Sequence, residues 1–110
     1  MNQPKDLETG ALLDHLLTSL LDDFDHWFAR GEELLSQCPE DVMDSSERQA
    51  FQARLAEAIK AVAATRALMR ASNQPMAVSM KAMHPWHALV TEVWGLASRI
   101  AAQDRGQAPS

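Results

Sequence analysis

The side chains best suited to chemistry are carboxylates and histidines on two distant stretches of the chain. Asp22 and Asp23 precede His26 by four and three residues, so either carboxylate can share a helix face with it. His84 and His87 could complete a site for zinc, iron or manganese. Di-iron helical bundles, however, use a Glu-x-x-His pair on each of two helices, and the second pair is missing here. The spacing therefore favours solvated acids beside histidines that pack or cap, and we expect no metal and no other cofactor.

A second pair, His87 and Glu92, could serve as a catalytic acid and base. Five residues separate the two, which puts them off a common face of a helix, so the spacing does not support this role. We expect His87 instead to hydrogen-bond Asp23 or a loop carbonyl, and Glu92 to pair with Arg30 or Arg66. No nucleophile with an orienting second group is visible elsewhere in the sequence, so the chain is not predicted to be an enzyme.

The elements that must position these residues are helices, because the apolar side chains recur at steps of three and four residues. The stripes predicted to face the core are Leu13, Leu17, Leu20, Phe24, Trp27, Gly31 and Leu34 on the first helix, Phe51, Leu55, Ala58, Val62, Thr65 and Met69 on the second, and Trp86, Leu89, Val93, Leu96 and Ile100 on the third. The pattern predicts helices over about residues 7–36, 45–71 and 85–103, with disordered tails at 1–6 and 104–110. Asp44 or Ser45 would cap the second helix, with Glu47 completing a capping box. Pro85 would begin the third helix at the first helical position, which proline favours.

No alternation typical of a β-strand occurs, so the predicted fold is all-α and forms a single domain, residues 1–110. We expect a long antiparallel helical hairpin with a shorter third helix packed on it. The alanine-rich second helix suits close packing on the bulky first, and Gly31 on the seam of the first would let a neighbour approach. Trp27 and Trp94 are expected in the core. Several side chains are predicted to anchor the first helix to the third: Asp23, Phe24, Trp27, Phe28 and Trp94.

Two groups of residues are candidates for binding a partner. The linker before the third helix is rich in methionine, which adapts to irregular surfaces, and it is followed by Trp86 and His87. On the first helix, the edge formed by Leu12, Leu16 and Phe28 is expected to be only partly covered by the third helix, which favours a homo-oligomer such as a homodimer. The methionines of the linker region are Met76, Met80 and Met83.

Composition and charge limit the classes of partner. Residues 1–44 carry eleven acidic and two basic side chains, whereas residues 45–110 carry eight basic and four acidic ones. This asymmetry is typical of an acidic helix beside a basic one, and it lacks the clustered basic surface that nucleic acids require. No apolar run is long enough for a membrane span, and the N-terminus does not resemble a signal peptide, so a cytoplasmic protein is expected. The single cysteine, Cys38, excludes a disulfide framework.

Two stretches, LLDDFDHWFARGEELL and PWHALVTEVWGLASR, resemble a small family of cyanobacterial proteins catalogued only as a domain of unknown function. The family pattern is an LLxDFxxWFxRxxxLL helix followed much later by PWHxLVTExW. The resemblance covers roughly a third of the chain, and it implies a helical fold and a cyanobacterial cytoplasm but no activity. The matching residues are Leu20, Leu21, Asp23, Phe24, Trp27, Phe28, Arg30, Leu34 and Leu35, then Pro85, Trp86, His87, Leu89, Val90, Thr91, Glu92 and Trp94.

The function expected from the sequence is that of a non-enzymatic protein-interaction module, a helical adaptor or assembly factor that binds another protein through a helical face and residues 73–87. The alternative is a small-molecule or tetrapyrrole-type binding protein. Its pocket between helices would be lined by Trp27, Trp86, His87 and Trp94.

Overall fold

A computed structural model describes residues 4–72 and 80–107, with side chains from residues 10–72 and 81–106. The described residues form three α-helices and no strand: α1 (Pro4–Gln37), α2 (Ser45–Ala71) and α3 (Met80–Gln107). The prediction of an all-α bundle is therefore confirmed. None of these helices, over the described residues, contains a stretch long and apolar enough to cross a membrane.

α1 is the common partner of the other two helices, which both pack along it. α2 runs antiparallel to α1, since Arg66 near its end reaches Asp25, while Leu55 lies against Gly31 further along α1. α3 runs parallel to α1, because Trp86 contacts Phe24 and Arg99 donates a hydrogen bond to the carbonyl of Val42, beyond the end of α1. The three helices are staggered, and the molecule extends about 70 Å along its long axis.

The structure corrects several predicted boundaries. α1 begins at Pro4 and ends at Gln37, so it is longer at both ends than predicted. α3 begins at Met80 rather than at Pro85, and it continues to Gln107, through part of the tail predicted to be disordered. α3 is consequently about as long as α2, although it is shorter than α1. Residues 1–3, 73–79 and 108–110 lie outside the described residues, and the predicted partner-binding residue Met76 is among them.

Packing explains why α3 starts before its proline. Met83, two residues before Pro85, is fully buried in the core, so the turn that carries it is held against the rest of the bundle. At the other end, Arg99 and Gln103 contact the turn between α1 and α2, where Gln103 donates a 3.3 Å hydrogen bond to Asp41. Both contacts depend on tertiary structure and have no local signal in the sequence.

The core follows the predicted seams. The stripes predicted on α2 and α3 supply buried Phe51, Leu55 and Val62, and Leu89 and Val93. On α1 the buried seam includes Leu17, Leu21, Phe24, Phe28, Leu34 and Leu35.

Two predictions about burial are wrong. Phe28 is fully buried rather than part of an uncovered edge, because both α2 and α3 pack over this part of α1. Trp94 was expected in the core, but 48% of it is exposed, since it lies on the flank of α3 against Trp27.

The start of α2 is fixed by a capping box. The Asp44 side chain accepts a 2.8 Å hydrogen bond from the backbone N–H of Glu47, and the Glu47 carboxylate accepts one from the N–H of Asp44. Arg48 then donates a 2.9 Å hydrogen bond to the carbonyl of buried Cys38 at the end of α1. Of the two predicted caps, Asp44 is therefore the one used.

Candidate interaction surface

A groove runs between α2 and α3, because both helices contact α1 while approaching each other much less closely. The part of the groove beside the first half of α3, which we call the upper part, has a volume of about 490 Å³. One wall is the flank of α2 at Ala58 and Ala61, and the other is formed by Pro85, Trp86 and Leu89 of α3. The small side chains of α2 and the half-buried indole of Trp86 make this an apolar concave surface.

The lower part of the groove, about 440 Å³, lies between Phe51 on α2 and Gly95 and Leu96 on α3. A Cβ atom added at Gly95 would meet no atom within 4 Å, so this stretch of the wall is open. Charged side chains border both parts of the groove: Arg54 and Glu57 line the upper part, and Glu47 and Arg99 line the lower part.

An ion pair separates the two parts of the groove. Both guanidinium Nη atoms of Arg54 donate hydrogen bonds to the carboxylate of Glu92, and the Nη1–Oε1 distance is 2.9 Å. These hydrogen bonds lower the pKa of Glu92 and raise the pKa of Arg54, although partial burial acts in the opposite direction on each group. Arg54 also lies over the ring of Phe51, 5.9 Å from its centroid. Glu92 was predicted to pair with Arg30 or Arg66, and that prediction is wrong.

Arg66 and Arg30, with which Glu92 was expected to pair, bind other carboxylates. Arg66 lies on the opposite side of α2, where it binds Asp22 at 2.9 Å and Asp25 at 2.6 Å, and the hydrogen bond with Asp25 raises the pKa of Arg66. Arg30 pairs with Glu33 on α1 itself. The ion pairs of Arg66 with Asp22 and Asp25 thus join α1 and α2 along one flank of their contact.

Aromatic contacts hold the upper part of α3 to α1. Phe24 meets the Trp86 ring edge-on at 5.4 Å between centroids and the His87 ring at 4.9 Å. His87 is exposed and anchors through this ring contact, whereas Asp23, its expected hydrogen-bond partner, is exposed on the outer side of α1 with no such bond in the described residues. Asp23 is therefore not the anchor that the sequence predicts.

The four residues predicted to line a small-molecule pocket do not converge. Trp86 lines the groove, but Trp94 contacts Trp27 at 5.6 Å on the other side of α3, and His87 lies on Phe24. Within the described residues no three His, Cys, Asp or Glu side chains are placed to hold a metal ion.

The remaining candidate residues divide between core and surface. Met83 is buried and is not available to a partner, which corrects its assignment as a binding residue. Met80 is the first residue of α3, and its side chain is outside the described ones. Leu12 and Leu16 are 58% and 56% exposed at the N-terminal end of α1, as predicted for a partly covered edge.

Sequence reasoning missed two parts of this surface. Leu13 and Leu68 are also exposed, at 39% and 61%. Leu68 lies off the core stripe predicted for α2, and a large apolar side chain off the stripe is a signal that could have identified it. The walls at Ala58 and Ala61 carried no such signal, because small residues on a helix are typical of close packing as well as of an open groove.

The fold and the groove define a class of protein: a staggered three-helix bundle whose second and third helices leave an apolar face open. A family model described as a protein of unknown function (DUF2605) matches residues 7–102, and the chain belongs to this family. The expected family membership is therefore confirmed. No match was found among curated proteins or among solved structures.

Proposed function

We propose that this DUF2605 protein is a non-enzymatic interaction module that binds an amphipathic helix of another protein in the groove between α2 and α3. The observation that carries the proposal is the upper groove, where Trp86 and Leu89 face Ala58 and Ala61 across about 490 Å³. Grooves between helices bind amphipathic helices through apolar side chains spaced at i, i+3 or i+4, and i+7.

The occupant is a helix because both walls are helices that rest on a third. A fourth helix laid between α2 and α3 would complete a four-helix arrangement, which is a common way to bury helix faces. Alanines at positions 53, 58 and 61 allow its backbone to come close to α2. Trp86 would supply the large aromatic contact, a residue type that often dominates the binding energy of an interface.

The proposal extends to the setting of the protein. The two family-like motifs support an origin in a cyanobacterium and a place in its cytoplasm. Self-association belongs to the same proposal, because apolar side chains stay exposed on α1 as well as in the groove.

Capture of partners from a cyanobacterial lysate tests the proposal when groove variants are matched with controls. Ala61→Arg fills the groove, whereas Ala67→Arg adds the same charge to an exposed position on another face of α2. A protein bound by the wild type and by Ala67→Arg, and lost at least tenfold with Ala61→Arg, is expected. Partners that bind all three forms equally would contradict a groove site.

A second pair of variants repeats the test on α3. Trp86→Ala removes the aromatic wall of the groove, and Trp94→Ala removes an indole on the other side of the same helix. Binding should fall with the first change only. Circular dichroism melting curves of all variants verify that each remains folded, and a loss of binding with Trp94→Ala alone would place the site on the other flank.

The second candidate function is binding of a flat apolar small molecule such as a tetrapyrrole. It is supported by the size of the upper groove, which is within the range of ligand pockets, and by the indole of Trp86 on its wall. Absorbance spectra and native mass spectrometry of protein purified from a cyanobacterium separate the two candidates. A stoichiometric bound chromophore would favour the small molecule, and colourless protein of the mass of the chain is the result we expect.

A further inference from the structure

The Arg54–Glu92 ion pair lies where the two parts of the groove meet, in the path of any helix that fills them. On α2 the upper part runs from Ala53 to Ala61, which is about 12 Å or little more than two helical turns. Helices in proteins average about 10–14 residues, so an occupant of the groove is longer than this part alone. Arg54 lines both parts, and a helix in the upper part therefore contacts the pair at its lower end.

The pair is held in a fixed position between the helices. Each Nη atom of Arg54 donates a hydrogen bond to a different carboxylate oxygen of Glu92, and such a two-point contact fixes the orientation of both groups. The guanidinium also lies over the ring of Phe51, 5.9 Å from its centroid. A partner helix thus meets a defined pair of charges at this level of the groove.

The hydrogen-bonding groups that the pair leaves open determine what can cover it. A guanidinium has five N–H donors, and each carboxylate oxygen accepts more than one hydrogen bond. Within the described residues Glu92 is the sole hydrogen-bond acceptor for Arg54, and both side chains are about half exposed to water. An apolar side chain laid over the pair would exclude water from these groups and leave them unpaired, which weakens binding.

A charged side chain is no better suited to this position. Arg54 and Glu92 already neutralise each other, so a further charge buried here would have no counter-charge. A carboxamide has both halves of the complement, because its oxygen can accept a hydrogen bond from Arg54 and its NH₂ group can donate one to Glu92.

We propose that the Arg54–Glu92 pair determines the specificity of the groove, by accepting a partner helix that places an asparagine or glutamine opposite it. One buried polar residue in an apolar seam is known to fix the register of two helices, and here it would fix how far the partner lies along α3. The inference rests on the proposed function, since it concerns the helix that occupies the groove.

The levels of the wall residues give the position of the carboxamide in the partner. Trp86 is six residues before Glu92, or about 9 Å higher along α3, and Leu89 lies between them. Gly95 is three residues after Glu92, and its missing side chain leaves open space for an apolar side chain of the partner. The carboxamide should therefore lie six or seven residues from the apolar side chain that meets Trp86, and three or four from the one that meets Gly95.

Selection from a phage-displayed library of amphipathic helical peptides tests this specificity. The targets are the wild type and the double variant Arg54→Met with Glu92→Leu, which puts apolar side chains in place of both charges. The wild type should select peptides with asparagine or glutamine at the stated spacing within an apolar stripe, and the double variant peptides with an apolar residue there. Circular dichroism verifies that the double variant is folded.

A second measurement uses the wild type alone. Leucine in place of the carboxamide of a selected peptide should weaken binding roughly tenfold or more, as measured by fluorescence anisotropy of the labelled peptide. The same change at a position on the opposite side of the peptide helix is the control and should have little effect.

The outcomes separate this inference from the groove itself. Peptides that lose binding to Ala61→Arg, but carry apolar residues opposite the pair or bind equally well after the change to leucine, would overturn the specificity role and leave the groove in place. Peptides that bind Ala61→Arg as well as the wild type, or a library without any enriched sequence, would contradict the groove and this inference together.

Discussion

At the level of single residues, Gly31 determines how closely two helices approach a third. It is buried on the seam of α1, and a Cβ atom there would lie 3.0 Å from Cγ2 of Val93 and 3.1 Å from Cδ2 of Leu55. α2 and α3 therefore both press against α1 at this one point. The seam pattern in the sequence predicted a close neighbour at Gly31, and the structure confirms two.

Gly31→Ala is expected to destabilise the protein even though alanine favours a helix. The gain in helix propensity is up to about 1 kcal/mol, while overpacking between two branched side chains costs about 1–3 kcal/mol. We expect a net fall of about 1 kcal/mol in the free energy of unfolding, measured by urea denaturation. Gly95→Ala is the control, because its Cβ meets open space, and it should stabilise the protein. Equal effects at the two positions would contradict the close packing at Gly31.

The Arg54–Glu92 pair should contribute a small, pH-dependent stabilisation. Both side chains are about half exposed, so we expect less than about 1 kcal/mol at neutral pH. Because the hydrogen bonds with Arg54 lower the pKa of Glu92 in the folded state, the stabilisation is present above the ordinary glutamate pKa of about 4.3 and is lost as the pH falls through the lower folded value.

Urea denaturation of Glu92→Gln at several pH values measures this effect. The variant should be less stable than the wild type at pH 7, and the difference should shrink as the pH falls below the ordinary glutamate pKa of about 4.3. Glu40→Gln removes an exposed carboxylate from the α1–α2 turn and should have no comparable effect. A difference for Glu92→Gln that persists unchanged at pH 3 would mean that the ion pair is not its origin.

At the level of elements, the helices differ in how far local signals define their ends. The start of α2 is local, since Asp44 and Glu47 form a capping box that is visible in the sequence. The start of α3 is not, because Pro85 favours a helix start whereas burial of Met83 extends the helix back to Met80. Periodicity therefore predicted the existence and type of all three helices but not the ends of α3, which depend on tertiary contacts.

Asp44→Ala should lower the free energy of unfolding by about 1 kcal/mol, since it leaves N–H groups in the first turn of α2 without an acceptor. Ser45→Ala, the other residue that the sequence allowed as a cap, is the matched control and should change stability by less than about 0.5 kcal/mol. Thermal or urea denaturation of both variants provides the measurement. A larger effect for Ser45→Ala than for Asp44→Ala would mean that Ser45, rather than Asp44, caps α2.

At the level of the whole molecule, the groove exists because α2 and α3 both pack on α1 while approaching each other much less closely. The apolar stripes predicted that α2 and α3 both pack on α1, but a stripe does not say how far apart two helices lie on a third. The cross-helix partner of Glu92 was missed for the same reason, since it depends on the relative register of α2 and α3. The exposure of Leu12 and Leu16 was predictable, because the third helix was expected to be too short to cover the whole of this edge of α1.

Site-specific photo-crosslinking tests the central claim, that the groove holds a partner helix, most directly. A photoreactive amino acid at position 61 faces the upper groove, and the same amino acid at position 67 lies at an exposed position outside it. In cells of the source organism, position 61 should crosslink to a discrete protein through a peptide with apolar residues at helical spacing, and position 67 should not. Crosslinks to that protein from position 67, with none from position 61, would contradict the groove as the binding site.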